Sequence, residues 1–166
     1  MAALCQQATQ AVAQGAAAVF LRGGPQGDPI VLAAGLGPVV PDILLGVRIE
    51  LGPQERHPAL LARDLTSLDL VCGGRSVLCF APPFTEGLAE AALLCRMLWQ
   101  AGEVFTEGPH YPVQAANRAR PAGEHSPLIA FDLTAGDELP AFLAAVGDLV
   151  LRPMSGAPDA CRLERV

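Results

Sequence analysis

An α/β fold on a mainly parallel sheet is the class this sequence predicts, and three observations predict it. Short apolar runs of five to eight residues alternate with helix-patterned segments along the chain. Those runs are apolar on both faces, as parallel strands covered on both sides require. The 166 residues, 51% of them hydrophobic, suffice for one core and predict a single domain over 1–166. Five or six strands leave two architectures open, a doubly wound open sheet or an incomplete barrel. A complete eight-stranded α/β barrel needs roughly 200–250 residues, more than are present.

The elements follow in order. ALCQQATQAVAQ (3–14) is rich in helix formers and meets Gly15, which suits a helix end. AAVFLR (17–22) reads as a buried strand closed by GGPQGDP, and Asp28-Pro29 opens a second helix with proline at its favoured first position. Residues 43–49 form the next strand. RHPALLARDLTSLDLVCGGR (56–75) is a helix begun by Pro58, burying Leu60, Leu61, Leu65 and Leu68 and stopped by Gly73-Gly74, and SVLCFA (76–81) is the strand after it. TEGLAEAALLCRMLWQAGE (85–103) is the clearest helix: Thr85 caps it, and Leu88, Ala91, Ala92, Cys95, Leu98 and Trp99 make its apolar stripe. Met97, Trp99 and Phe105 read as core or interface packing. Residues 104–126 form an irregular excursion rich in proline and glycine, with a hairpin around VFTEGPHYPV. PLIAFDLT (127–134), a helix in DELPAFLAAV, the strand DLVLRP (148–153) and a last strand in CRLERV (161–166) complete the chain.

Composition removes several function classes. Lysine is absent, which excludes a lysine Schiff base and a P-loop lysine. A net charge of −6 without a basic stripe argues against nucleic acid and anionic membrane as partners. The five cysteines are widely spaced with no C-x-x-C pair, which reads as reduced core thiols in a cytoplasmic protein. No apolar run reaches the ~18 residues of a membrane span, and the N-terminus has no charged leader region. Gly35-Leu36-Gly37 lacks the third glycine and the preceding strand of a dinucleotide fingerprint. His57, His110 and His125 are too scattered to predict a metal site.

At residues 56–75 the chain resembles the luciferase-like monooxygenase superfamily, whose members use FMN or a deazaflavin. The residues that carry the resemblance are Leu45-Gly46, then Arg56-His57-Pro58, Leu68-Asp69 and Gly73-Gly74-Arg75, followed by a strand. The helix around Leu98-Trp99 and the region of Glu107-Gly108 and His110-Tyr111 extend it over roughly residues 3–135. The resemblance implies a TIM-like α/β barrel, here truncated to about five or six strands, with flavin and substrate at the strand C-terminal ends. It also implies oxidoreductase or monooxygenase activity.

The chain departs from the family pattern in four places. The opening strand and a late strand-helix unit have no counterpart. CFAPPF (79–84) stands where the family carries glycines, so side chains crowd a surface that a flat isoalloxazine must approach closely. Leu-Gly-Thr-Gly becomes Leu45-Gly46-Val47-Arg48. FDLTAGDE (131–138) replaces a Gly-Gly-Ser that suits phosphate, and its three carboxylates disfavour one.

These departures predict a reduced member with an altered cofactor site, or alternatively a non-catalytic subunit or small-ligand-binding protein. Arg22, Arg48, Arg56, His57, Cys79, Pro82, Pro83 and Asp132 are the residues expected around a cofactor. Arg48 interrupts an apolar strand and shares a face with Leu44 and Gly46; it reads as an ion pair with Asp132, as an arginine on an exposed rim, or as an anion or substrate anchor. Arg56 and His57 sit at a helix entrance, as caps or as anion contacts. Open barrel edges predict a homodimer or a complex with a fuller family member.

Overall fold

In chain order the elements are α1 (Ala2–Ala13), β1 (Ala18–Arg22), α2 (Pro29–Leu36), β2 (Leu44–Ile49), α3 (Pro58–Cys72), β3 (Ser76–Phe80), α4 (Glu86–Gln100), β4 (Glu103–Thr106), β5 (Val113–Ala116), β6 (Leu128–Asp132), α5 (Ala141–Ala144), β7 (Leu149–Met154) and β8 (Ala157–Arg165). This is a computed structural model, and it describes residues 1–25, 27–51, 56–122, 126–134, 136–154 and 157–166; of 153, 154 and 157–161 it describes the backbone alone. His125 and the side chain of Cys161 therefore lie outside the described residues.

The main sheet runs β1-β2-β3-β6-β7-β8, parallel except for the antiparallel β7–β8 pair. Strands thus join the sheet in the order in which they occur along the chain. With right-handed crossovers, that order puts every intervening helix on the same side. The core agrees: Val19, Leu21, Leu45, Val47, Ile49, Leu78, Phe80, Ile129, Phe131 and Val150 pack with residues of all five helices in one cluster. The opposite strand face forms a separate small cluster of Val77, Cys79 and Ala130 under Phe20, Leu44, Leu128 and Leu149. A doubly wound sheet carries helices on both faces, so the open alternative resolves to an incomplete TIM-like barrel, a curled half-barrel of six strands.

The patterned stretch 56–75 is explained by local bonding. His57 caps α3, its Nδ1 accepting the Ala59 N–H at 3.1 Å, and Pro58 follows at the first helical position. Gly73 ends the helix with φ 65°, a left-handed conformation that side chains rarely adopt. The buried Asp69 carboxylate accepts from Ser76 Oγ (2.7 Å) and from the N–H groups of Ser76 (3.3 Å) and Ala122 (2.9 Å). Arg75 donates to the carbonyls of Gly37, Val40 and Ile43 at 2.7–3.1 Å, clamping the turn that feeds β2. His57, Asp69 and Arg75 thus each bond to backbone and hold it in place.

Helix α4 buries the stripe expected of it, and Thr85 Oγ1 accepts the Leu88 N–H at 3.2 Å. Trp99 Nε1 donates to Ala62 O at 2.9 Å, bolting α4 to α3. Burial pushes the Cys95 thiol up to about 12, so it is inert as a nucleophile. The hairpin expected in the excursion is β4–β5. Its tip is tied to α4 by the Glu90 carboxylate, which accepts from the N–H groups of His110 (3.1 Å) and Tyr111 (2.8 Å). A Cβ on Gly108 would collide with that carboxylate.

Several boundaries and burials differ from expectation. Helix α4 stops at Gln100, because Gly102 takes φ 78° and β4 starts at once. The helix in 137–146 shrinks to four residues after Pro140. The last strand begins at Ala157 and folds back antiparallel on β7. Leu60 is exposed, since Ala62 and Asp69 widen the buried stripe on the far side of Leu61, Leu65 and Leu68. Trp99 is core as expected, while Met97 and Phe105 are exposed, which leaves interface packing as the reading open to them. No helix among the described residues is long and apolar enough to cross a membrane.

Candidate binding site at the C-terminal ends of the strands

Parallel strands all end on one side, so side chains at their C-terminal ends converge there. In register, Arg22 of β1 lies beside Arg48 of β2, Arg48 beside Cys79 of β3, and Cys79 beside Ala130 of β6. Alternation places these residues, with Phe20 and Gly46 below them, on the barrel-interior face, away from the helices. Asp132 ends β6 two residues above Ala130 and so points the same way.

Arg48 reaches across β3 to Asp132, with Nε to Oδ2 at 2.5 Å. The Asp132 side chain is 2% exposed, and its other oxygen accepts from Thr134 N–H (2.9 Å) and Oγ1 (2.5 Å). Both carboxylate oxygens are therefore engaged. Burial works to raise the Asp132 pKa, but the hydrogen bonds from Thr134 and Arg48 outweigh it and hold the group below its ordinary value. Burial likewise works to lower that of Arg48, and Asp132 and Glu50 overcome it, so the guanidinium stays charged. Nη1 of Arg48 also donates to Glu50 at 2.7 Å, on a side chain that is 69% exposed.

The other expected residues separate into different settings. Arg56 pairs with Asp28, the N-cap of α2, at 2.5 Å and with Asp64 of α3 at 3.1 Å, so it ties two helices together. His57 caps α3 and meets Tyr111 edge-on, ring centroids 5.6 Å apart. Cys79 is wholly buried among Val77 and Ala130. Pro82-Pro83 forms the turn after β3 with a cis peptide bond between them, followed by Phe84, whose ring stands edge-on to Phe131. Arg22 is exposed and makes no ion pair or hydrogen bond among the described residues. No group of three His, Cys, Asp or Glu side chains among them is placed to hold a metal ion.

Three further residues, Glu50, Thr134 and Phe20, take part in this site. Glu50 stands two residues from Arg48, and Thr134 two residues from Asp132; both spacings were legible, the second as a D-x-T turn pattern. Phe20 lies against Gly46, and that contact depends on cross-strand register, which the sequence does not display.

No protein-family model and no curated protein sequence matches this chain. Solved structures do match in fold. The monooxygenase RslO1 from Streptomyces bottropensis is 21% identical, with TM-score 0.65 over 78% of this chain and 46% of its own. The oxygenating constituent of 3,6-diketocamphane monooxygenase from the CAM plasmid of Pseudomonas putida, solved with FMN, is 19% identical, with TM-score 0.60 over 78% of this chain and 45% of its own. The coenzyme F420-dependent tetrahydromethanopterin reductase of Methanopyrus kandleri is 16% identical, with TM-score 0.72 over 92% of this chain and 52% of its own. The chain thus spans about half the length of the structures it matches.

Whether the mouth suits a flavin phosphate follows from its charges. A phosphate monoester carries about −1.5 to −2 at neutral pH and calls for uncompensated donors. Here Arg48 is met by two carboxylates and Arg56 by two others, which leaves Arg22 alone. The residues present do not fit that group. What the fold comparison establishes is architecture: this chain carries about half of the α/β barrel fold seen in these FMN- and F420-linked monooxygenase and reductase structures.

Proposed function

We propose that the chain is a luciferase-like, oxidoreductase-type half-barrel with an altered cofactor site, in which the strand C-terminal mouth takes a small molecule without gripping a flavin or deazaflavin through phosphate. The fold shared with FMN and F420 enzymes supports the oxidoreductase lineage. The observation that carries the altered site is the Arg48–Asp132 bond, which consumes the strand's one charge inside the mouth. Any redox chemistry would belong to a cofactor, with the protein supplying orientation and electrostatics. Visible absorbance during titration with FMN and with deazaflavin tests the reading: no saturation at micromolar cofactor is expected, and micromolar binding overturns it.

A second reading, a non-catalytic subunit that works through a second copy or a fuller family member, is favoured by the open sheet. β1 has a strand neighbour on one side only, and a half-barrel leaves such an edge to be paired or covered. Light scattering at micromolar protein should then report a dimer, whereas a stable monomer would count against it. The buried, separate thiols of Cys72, Cys79 and Cys95 suit a reducing, cytoplasmic setting.

A further inference from the structure

Arg48 has two partners of opposite character. On the inner side Asp132 is buried, fixed by Thr134, and holds Nε in one direction. On the outer side Nη1 meets Glu50, whose side chain is mostly in solvent. A buried, doubly bonded partner sets the orientation of a guanidinium, while an ion pair to an exposed carboxylate is weak and readily exchanged. Arg22 stands next to Arg48 in register on the same strand face, with no ion pair among the described residues. Two adjacent cations, one pre-oriented, thus stand side by side at the mouth, and the carboxylate that meets the outer nitrogen of Arg48 is solvent-exposed.

We infer that Glu50 is a built-in stand-in for the ligand, and that the mouth binds a small monocarboxylate which displaces Glu50 from Arg48 Nη1 and bridges it to Arg22. The charge count favours one negative charge. Arg22 and Arg48 sum to +2 and Asp132 supplies −1, so a monocarboxylate replacing Glu50 restores neutrality, whereas a phosphate dianion exceeds it. This rests on the altered-site reading above, since it uses the same mouth and excludes a phosphate grip there.

The test is a benzoate titration followed by NMR of the arginine Nε–H signals, with neutral benzamide as control. Glu50→Gln and Arg22→Gln both change exposed side chains, and far-UV circular dichroism checks that each variant is folded. Removing a competing exposed pair should tighten benzoate by about threefold, and losing the second cation should weaken it by a similar factor. Benzamide should show neither change. Glu50→Gln binding benzoate no more tightly than the parent, or benzamide binding as well as benzoate, overturns the inference. FMN titrated into the same samples keeps the outcomes apart: tight FMN binding defeats the altered-site reading, and an unresponsive Glu50→Gln defeats this one.

Discussion

Gly46→Ala is expected to destabilise the fold by about 3 kcal/mol, the upper end for overpacking by one methyl. A Cβ at this position would overlap Cδ1, Cε1 and Cγ of Phe20, the ring that lies on β2 from the neighbouring strand. The ring has little freedom to retreat, because it helps cover the small barrel-interior cluster of Val77, Cys79 and Ala130. Alanine is otherwise preferred to glycine inside a strand by roughly 0.5–1 kcal/mol, so intrinsic propensity predicts the opposite sign. The discriminating measurement is a double-mutant cycle by urea denaturation. In a Phe20→Ala background, Gly46→Ala should become neutral or stabilising, giving a coupling of about 3 kcal/mol. Additive effects would mean that the ring does not rest on Gly46. The same pair bears on function, since this face is occupied by the chain's own aromatic ring.

Asp132→Asn should cost about 2–3 kcal/mol at neutral pH, below the 3–5 typical of a fully buried broken pair, because Arg48 retains Glu50 and part of its hydration. The pH dependence gives a sharper signature. Asp132 has a pKa near 3.9 when unfolded and a lower one when folded, so its contribution is fully present above the unfolded value. It fades as pH falls through the folded value, where the native carboxylate takes up its proton. Denaturation curves of the parent and Asp132→Asn should therefore lie far apart from about pH 5 upward, begin to draw together as pH falls below about 4, and meet only below the folded pKa of Asp132. A gap that stays constant across that range would assign the loss to shape or to hydrogen bonding rather than to the charge pair.

Much of the fold was legible because its signals are local. Alternating apolar runs, Pro58, Thr85, Gly73 and the Asp28-Pro29 pair each act within a few residues of themselves, and the structure uses them as their chemistry suggests. The choice between an open sheet and a barrel was not legible from periodicity, since both need the same strands. Strand order decides it, and strand order is a long-range property. Arg48 with Asp132 was readable as one of three alternatives, because a charge buried in an apolar strand needs a partner. Its second partner, Glu50, acts from a solvent-exposed side chain and leaves no burial signal. Arg75 shows the converse: its position in Gly-Gly-Arg marked the family resemblance, while its three carbonyl contacts depend on a turn more than thirty residues away.

Comparing FMN with riboflavin isolates phosphate recognition by this mouth. The two share an isoalloxazine and differ by the phosphate, so the ratio of their dissociation constants cancels every contact to the ring. A site with an uncompensated phosphate grip should favour FMN by a factor of about ten or more, since charge-assisted hydrogen bonds contribute roughly 1.5–3 kcal/mol each. With Arg48 and Arg56 committed to carboxylates, FMN is expected to bind no more tightly than riboflavin, and both weakly, in fluorescence-quenching titrations at moderate salt. Micromolar FMN binding with a tenfold preference over riboflavin would contradict that expectation.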